Sequence, residues 1–152
     1  MGLFTSINIA ATGMSAERLR SDVISDNIAN ATTTRTQKGG AFKRSSVILS
    51  PVSDSHPQWR MPFVPSDLDN GPGRGVKVME IVKDNSEGTF VYDPDHPDAI
   101  KSGPHAGYVE YPNVNIVNEM VDLISASRAY EANATVVDGA KDMFNAALDI
   151  GR

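Results

Sequence analysis

All nine prolines of the chain lie between Pro51 and Pro112, and none occurs in the first 50 or the last 40 of its 152 residues. A proline inside a helix costs about 3 kcal/mol, so the two ends are free to form long helices and the middle is not. Eight of the twelve glycines also lie between the end segments. The pattern predicts an α+β fold, in which long N- and C-terminal helices pack as a coiled-coil-like pair with a small β-rich insert between them.

Three regions follow from this division. We expect an N-terminal helical arm at 1–35, a Pro/Gly-rich β insert at 36–112 and a C-terminal helix at 113–152. Strand signals in the insert are short β-prone runs bounded by glycine and proline. They cover Ala41–Leu49, Val76–Val82, Thr89–Tyr92 and Tyr108–Tyr111. We interpret the proline-rich stretch between the first two runs as an irregular loop.

The first segment, about Leu3 to Ala31, has apolar residues in steps of four and three, which is the a/d pattern of a coiled-coil seam. The members are Leu3, Ile7, Ala10, Met14, Ile24, Ile28 and Ala31. Glu17 and Ser21 interrupt the series. The last segment, about Val114 to Ile150, carries several apolar stripes side by side, and a helix with so broad an apolar surface needs several neighbours. We therefore predict that both ends are buried against copies of this chain or related chains.

Composition excludes several classes of function. The net charge is −5, which argues against nucleic-acid binding through phosphate neutralisation. There is no cysteine, so disulfides, zinc–thiolate sites and cysteine nucleophiles are excluded. No run reaches the ~18 apolar residues of a transmembrane helix, so we expect no membrane-spanning segment. The N-terminus lacks a basic leading region, and polar residues interrupt its apolar run, so we expect no cleavable signal peptide.

Three groups of residues could suggest a catalytic or ligand-binding site, but each has a simpler structural explanation. The densest acidic and histidine group consists of Asp93, Asp95, His96 and Asp98. Such side chains can ligate a cation, but the loop lacks the EF-hand pattern, and turn chemistry explains it better. The Gly71–Gly75 loop precedes a strand rather than a helix, unlike a phosphate cradle. Glu119 and Asp122 lie one turn apart and are interpreted as a solvated helix face. We expect no catalytic residue, metal, cofactor or small-molecule substrate.

Asn27 and Asn30 are amides near the end of the first apolar segment. They are either surface or capping residues, or amides that set the register between packed helices, as buried asparagines do in coiled coils. The sequence leaves both interpretations open.

The two ends together carry a resemblance to a known family. The stretch Ser21–Thr34 resembles the N-terminal signature of bacterial flagellar rod and hook proteins, and Asn113–Asn133 resembles the matching C-terminal signature. The short middle, with Tyr92–Ala99 and Gly107–Val109, resembles members of the proximal rod. The loop from Asp54 to Arg74 departs from that pattern because it is longer and richer in proline.

The resemblance implies a structural subunit rather than an enzyme. Its terminal helices would pack into the inner tube of the proximal rod, and the middle would face outward. The rod transmits torque from motor to hook. The partners implied are copies of this chain, other rod proteins and, in transit, the flagellar type III export apparatus. The implied location is the basal-body rod within the periplasmic space, reached without a cleavable signal peptide.

We expect the assembly interface to use residues of both end segments. They are Leu3, Ile7, Met14, Val23, Ile24, Asn27, Ile28, Asn30, Val117, Met120, Ile124, Arg128, Tyr130, Asn133, Val136 and Met143. Three alternatives stay open at this point. They are a distal-rod or hook subunit of the same family, a soluble coiled-coil adaptor, and an enzyme such as a wall hydrolase.

Overall fold

The computed structural model describes residues 3–37, 39–52 and 73–150. Helix α1 covers Leu3–Ala29, and helix α2 covers Ile116–Ile150. Between them lie the strands β1 (Ser45–Pro51), β2 (Val76–Lys83), β3 (Thr89–Tyr92) and β4 (Tyr108–Tyr111). The predicted α+β class, with long terminal helices around a small β insert, is confirmed. Most of the Asp54–Arg74 loop lies outside the described residues.

The two helices pack as an antiparallel pair. Phe4 of α1 lies beside Phe144 of α2, with ring centroids 6.4 Å apart. Further along α1, Gly13 faces Asn133, and near its end Asn27 donates a hydrogen bond to Glu119. Both helices are continuous, so neither glycine at 13 or 139 breaks its helix.

Small residues fill the contact between the helices. The buried apolar residues of the pair are Ala10, Ala16, Ile24, Ala126 and Ala140. A Cβ built on Gly13 would lie only 2.9 Å from Asn133 Nδ2, so a larger residue there would meet the partner helix. Alanine and glycine let two helix backbones approach closely, which explains how a long pair forms with so few large core residues.

The predicted seam of α1 coincides only in part with the face that packs on α2: Ala10 and Ile24 are buried, but other positions differ. Gly13 and Arg20 face α2, through Asn133 and Asp122. Met14 and Ile28, which the prediction placed in the seam, are only half-buried. The prediction followed apolar periodicity alone, whereas close backbone packing also brings Gly13 and the polar Arg20 to the contact.

Strands β1 and β2 form one antiparallel hairpin, with a register from Ser45↔Lys83 to Pro51↔Val76 and an irregularity between Ile48 and Leu49. A lone two-stranded hairpin is only marginally stable in water, and this one is tied to α1. Thr12 Oγ1 accepts a hydrogen bond from the Val76 N–H at 3.2 Å. Gly75 has a φ of 102°, and a Cβ there would collide with Thr12, so the chain can enter β2 only with glycine at this position.

Strands β3 and β4 form a second antiparallel hairpin, paired from Thr89↔Tyr111 to Tyr92↔Tyr108. Its loop holds the acidic and histidine group, which forms a turn, as predicted. His96 Nδ1 accepts a hydrogen bond from the Asp98 N–H, and Asp98 Oδ2 accepts one from Thr34 Oγ1. Asp98 also pairs with Arg35 at 3.6 Å. The turn therefore docks the second hairpin onto the segment that follows α1.

Candidate assembly surface and polar junction

The predicted interface residues differ in how far the chain itself buries them. Ile24 and Asn27 are buried inside the chain, and Ile7, Met14, Val23, Ile28, Asn30 and Asn133 are half-buried. Seven others, all on α2, are exposed: Val117, Met120, Ile124, Arg128, Tyr130, Val136 and Met143. The side chain of Leu3 lies outside the described part of the chain. The exposed group on α2 is therefore available for contact with another chain, and the assembly role of the whole set stays a prediction.

The first turns of α2 present a compact apolar surface, which we call the outer patch. Its members are Val117, Met120, Val121 and Ile124, with exposures of 68%, 53%, 58% and 54%. Helical geometry places them on the side of α2 opposite Glu119 and Ala126, which face α1. Burying such a side chain is worth roughly 1.5–3 kcal/mol. A neighbour that covered the patch would therefore gain several kcal/mol.

Val121 was missed in the sequence-based set. It lies beside Met120 in the same apolar run and completes the spacing of four and three that joins Val117 to Ile124. The last turns of α2 are similarly uncovered, because every residue from Lys141 to Asp149 is exposed. Their apolar members are therefore also available for contact with another chain.

A buried polar junction lies behind the outer patch. Asn27 Nδ2 donates to the Ser45 carbonyl oxygen at 2.8 Å, and Asn27 Oδ1 accepts from the Ser45 N–H at 2.9 Å. The same Nδ2 donates to Glu119 Oε2 at 3.0 Å. Asn27 and Glu119 are 0% and 1% exposed. One amide thus connects α1, the first residue of β1 and the first turn of α2.

Two arginines balance the charge of the junction. Arg44 Nε lies 2.6 Å from Glu119 Oε1, and its Nη2 lies 3.6 Å from Asp122 Oδ2. Arg20 reaches the other oxygen of Asp122 at 3.8 Å. A buried carboxylate is tolerated only when it is paired and hydrogen-bonded, and Glu119 meets both conditions.

The prediction that Glu119 belongs to a solvated face is wrong, whereas Asp122 is 40% exposed at its side chain. Spacing within one helix gave no sign of Arg44, which lies 75 residues earlier in the chain. In the sequence, Arg44 is one of two basic residues inside the predicted run Ala41–Leu49, and nothing there marks it as the partner of Glu119. Pairing across such a distance depends on the tertiary fold.

Asn30 and Asn27 take different roles. Asn30 Nδ2 donates to the Asp26 carbonyl oxygen at 2.9 Å, and its backbone N–H donates to the same oxygen at 3.0 Å. Asn30 therefore caps the end of α1. Asn27 is the buried amide that sets the register between elements.

A second polar brace supports Arg44 from the turn after β2. Asn113 Oδ1 accepts from the Arg44 N–H at 3.1 Å, and Asn113 Nδ2 donates to Ser86 Oγ at 2.7 Å. The Ser86 N–H donates to Asp84 Oδ1 at 2.9 Å. Hydrogen bonds from Ser86, and to a lesser degree the charge of Arg44, lower the pKa of Asp84. The brace holds the start of α2 against the β1–β2 hairpin.

Models of known protein families match both ends of the chain. A family model described as "Flagella basal body rod protein" matches residues 7–36. A second, described as "Flagellar basal body rod FlgEFG protein C-terminal", matches residues 105–150. These two ranges contain most of the helical pair and both main partners in the junction, Asn27 and Glu119. The class that they define is the flagellar basal-body rod protein.

Relatives along the whole chain make the assignment more specific. A protein of Borreliella burgdorferi named flagellar basal-body rod protein FlgC is 58% identical over 150 residues, covering 99% of this chain and 98% of that protein. Proteins of the same name from Bacillus subtilis and Salmonella typhimurium are 39% and 30% identical, each over 100% of both chains. The chain belongs to the FlgC family of flagellar rod proteins.

Membership of this family confirms that the chain is a structural rod subunit and not an enzyme, which removes the wall-hydrolase and adaptor alternatives. It places the chain in the flagellar basal body, where it assembles with other rod proteins. Within residues 3–37, 39–52 and 73–150, no helix is long and apolar enough to cross a membrane.

Proposed function

We propose that this FlgC-like chain is a subunit of the proximal rod, which assembles helically through its terminal helices and transmits torque from motor to hook. One observation carries the proposal. The helical pair buries mainly alanines and glycine between its helices and leaves most of the larger apolar residues of α2 exposed, on the outer patch and further along the helix. Contiguous exposed apolar patches are typical of interaction surfaces.

A helical tube requires contacts between unlike surfaces, because a head-to-tail contact repeated with rotation and rise does not close. The broad apolar surface of α2 supports such contacts. Close packing through small residues supports a stiff pair, which torque transmission requires. Residues 1–35 and 113–152 together would form the inner-tube domain, and 36–112 would face outward. In this arrangement the polar junction is the joint between the two parts.

The chain must also reach the place where the rod assembles. We propose that the chain passes unfolded through the flagellar type III export apparatus, without a cleavable signal peptide, and reaches the periplasmic space. Sparse burial supports this route, because segments with few buried apolar contacts open easily. Helix ends that order only on a neighbour also resist premature polymerisation, since ordering entropy opposes folding until the contact forms.

Electron microscopy of basal bodies from a deletion strain, with motility scored alongside, tests the proposal. We expect the rod and hook to be missing while the membrane ring remains, and the wild-type gene to restore them. A complementing strain that carries the Glu87→Gln variant serves as a matched control, because Glu87 is exposed between β2 and β3 and lies outside the predicted interface. A deletion strain that swims with an intact rod would overturn the proposal.

A further inference from the structure

The structure contains a groove between α1 and the start of β2, with a volume of about 470 Å³. Its α1 wall is made of small side chains, and its other wall is formed by the first three residues of strand β2. The lining residues are Asn8, Ala11, Thr12, Ser15, Ala16, Val76, Lys77 and Val78. We call this the α1–β2 groove. It is lined mainly by apolar atoms, although none of its α1 residues is large.

The α1 wall of the groove continues along an exposed line of the helix. Asn8, Ala11 and Ser15 are all exposed and follow one another in steps of three and four. This spacing lets one helix pack along another. Within the described residues, the chain itself places no helix on this line, since α2 packs against the face that contains Ala10 and Gly13.

The outer patch has the complementary shape. Val117, Val121 and Ile124 follow one another in steps of four and three, and all three are bulky and exposed. Val117 and Ile124, at the two ends of the patch, are seven positions apart, as are Asn8 and Ser15 in the groove. Each therefore extends about 10 Å along its helix. Bulky side chains that project from one helix fit into spaces left by small side chains on another.

We infer that the outer patch of one subunit inserts into the α1–β2 groove of a second copy of this chain. This inference rests on the proposed helical assembly and names the two surfaces that meet. The patch and the groove are different surfaces of one molecule, so each copy can use both at once. Contact between unlike surfaces produces an open helical polymer, whereas contact of patch with patch would close into a dimer.

The absence of cysteine makes the test direct. A chain with both Ser15→Cys and Val121→Cys carries one thiol in the groove and one on the patch. Basal bodies from cells that express it as the sole copy are oxidised mildly, and the products are separated by mass. We expect a ladder of disulfide-linked multimers. Co-expression of the two single variants in separate chains should give a dimer only.

The matched control replaces Ser15→Cys with Ser25→Cys, which is exposed on α1 outside the groove and is rotated by about 80° around the helix from Ser15. This control pair should remain monomeric, as should each single variant. A dimer from Val121→Cys alone would overturn the inference in favour of patch-to-patch contact. Linkage of Val121→Cys to a different rod protein would show that the occupant is not a second copy. An equal ladder from the control pair would also overturn it.

Two further readouts separate this inference from the proposed function. The Val121→Cys thiol should react rapidly with a maleimide in the purified chain and slowly in basal bodies. Rapid reaction in both, or slow reaction in both, would contradict the inference. The same preparations are scored for rods by electron microscopy. Intact rods without a Ser15–Val121 link would refute the groove contact alone, whereas a deletion strain with an intact rod would refute the proposed function.

Discussion

The side-chain amide of Asn27 shows how much one residue can determine in this fold. It is fully buried, and its donor and acceptor are both used by Ser45 while the donor also reaches Glu119. A leucine of similar size would leave the backbone groups of Ser45 and the Glu119 carboxylate without this partner. Buried polar groups that lose a partner carry the full cost of desolvation.

The first prediction concerns Asn27→Asp, which keeps the shape and removes the donor. The new carboxylate would lie against that of Glu119, and like charges in a buried site are strongly unfavourable. We expect a loss of about 3–5 kcal/mol in the free energy of unfolding, as when a buried charge loses its compensation. Urea unfolding of the purified chain, followed by circular dichroism, measures it.

Asn30→Asp is the matched control for that change. It makes the same substitution one turn later, where the side chain is more exposed and caps the helix end. We expect it to cost less than about 1 kcal/mol, which is typical of exposed charge interactions. Equal losses from both variants would mean that the junction is not the origin of the stability.

At the scale of the elements, the sequence was sufficient for most boundaries, although β1 covers Ser45–Pro51 rather than the predicted run Ala41–Leu49. Proline and glycine placement located both helices within two residues at their ends, and β3 and β4 coincide with the predicted runs. The phase of the helix pair was not predictable in the same way. Gly13 and Arg20 face α2 because small and paired side chains let the backbones approach. Apolar periodicity, which guided the prediction, gives no weight to glycine or to paired charged residues.

The site was predictable only in part, for the same reason. Seven of the predicted interface residues are exposed on α2, because periodicity detects apolar residues whether they face inward or outward. Glu119 was misjudged because its partner Arg44 comes from another element. Local spacing carries no information on contacts between residues 75 positions apart.

The second prediction compares two helix glycines. Nothing lies within 4 Å of a Cβ built on Gly139, so Gly139→Ala should stabilise the chain by about 0.5–1 kcal/mol through helix propensity alone. Gly13→Ala gains the same propensity but must displace Asn133, whose Nδ2 donates to the Ala129 carbonyl oxygen. We therefore expect a smaller gain or a net loss. Thermal unfolding of the two variants in parallel measures the difference, and an equal gain from both would argue against close packing at Gly13.

At the scale of the whole molecule, we expect stability and assembly to depend on different apolar residues. Ile24 is 5% exposed and belongs to the chain's own core, whereas Ile124 is 54% exposed on the outer patch. The same substitution at these two positions should therefore have different consequences. This separation follows from a fold that buries mainly small residues, with Ile24 among the few large ones, and leaves most large apolar residues of α2 exposed.

The third prediction is that Ile124→Asp leaves the purified chain folded but prevents rod assembly. Exposed substitutions usually change the free energy of unfolding by no more than about 0.5 kcal/mol, whereas a charge in an apolar contact is costly. Val136→Asp, at 50% exposure, should act in the same way. Circular dichroism and electron microscopy of basal bodies provide the two readouts.

Two further variants serve as controls for that experiment. Ser125→Asp changes an exposed neighbour of Ile124 outside the patch and should permit assembly. Ile24→Asp places a charge in the helix contact and should unfold the chain. Motile cells with complete rods that carry both Ile124→Asp and Val136→Asp would show that these surfaces are not used.

The bonds between Asn27 and Ser45 also affect how the β1–β2 hairpin can be extended. An unpaired edge strand offers free backbone groups with which another chain can pair, and strand addition is a common mode of recognition. At Ser45 both backbone groups already bond to the amide of Asn27, which takes the place of a peptide group in a third strand. A third strand would have to lie about 4.8 Å away, where the end of α1 already reaches. The end of α1 thus prevents another strand from pairing with β1 at Ser45. A neighbouring chain could contact this part of the sheet only through side chains.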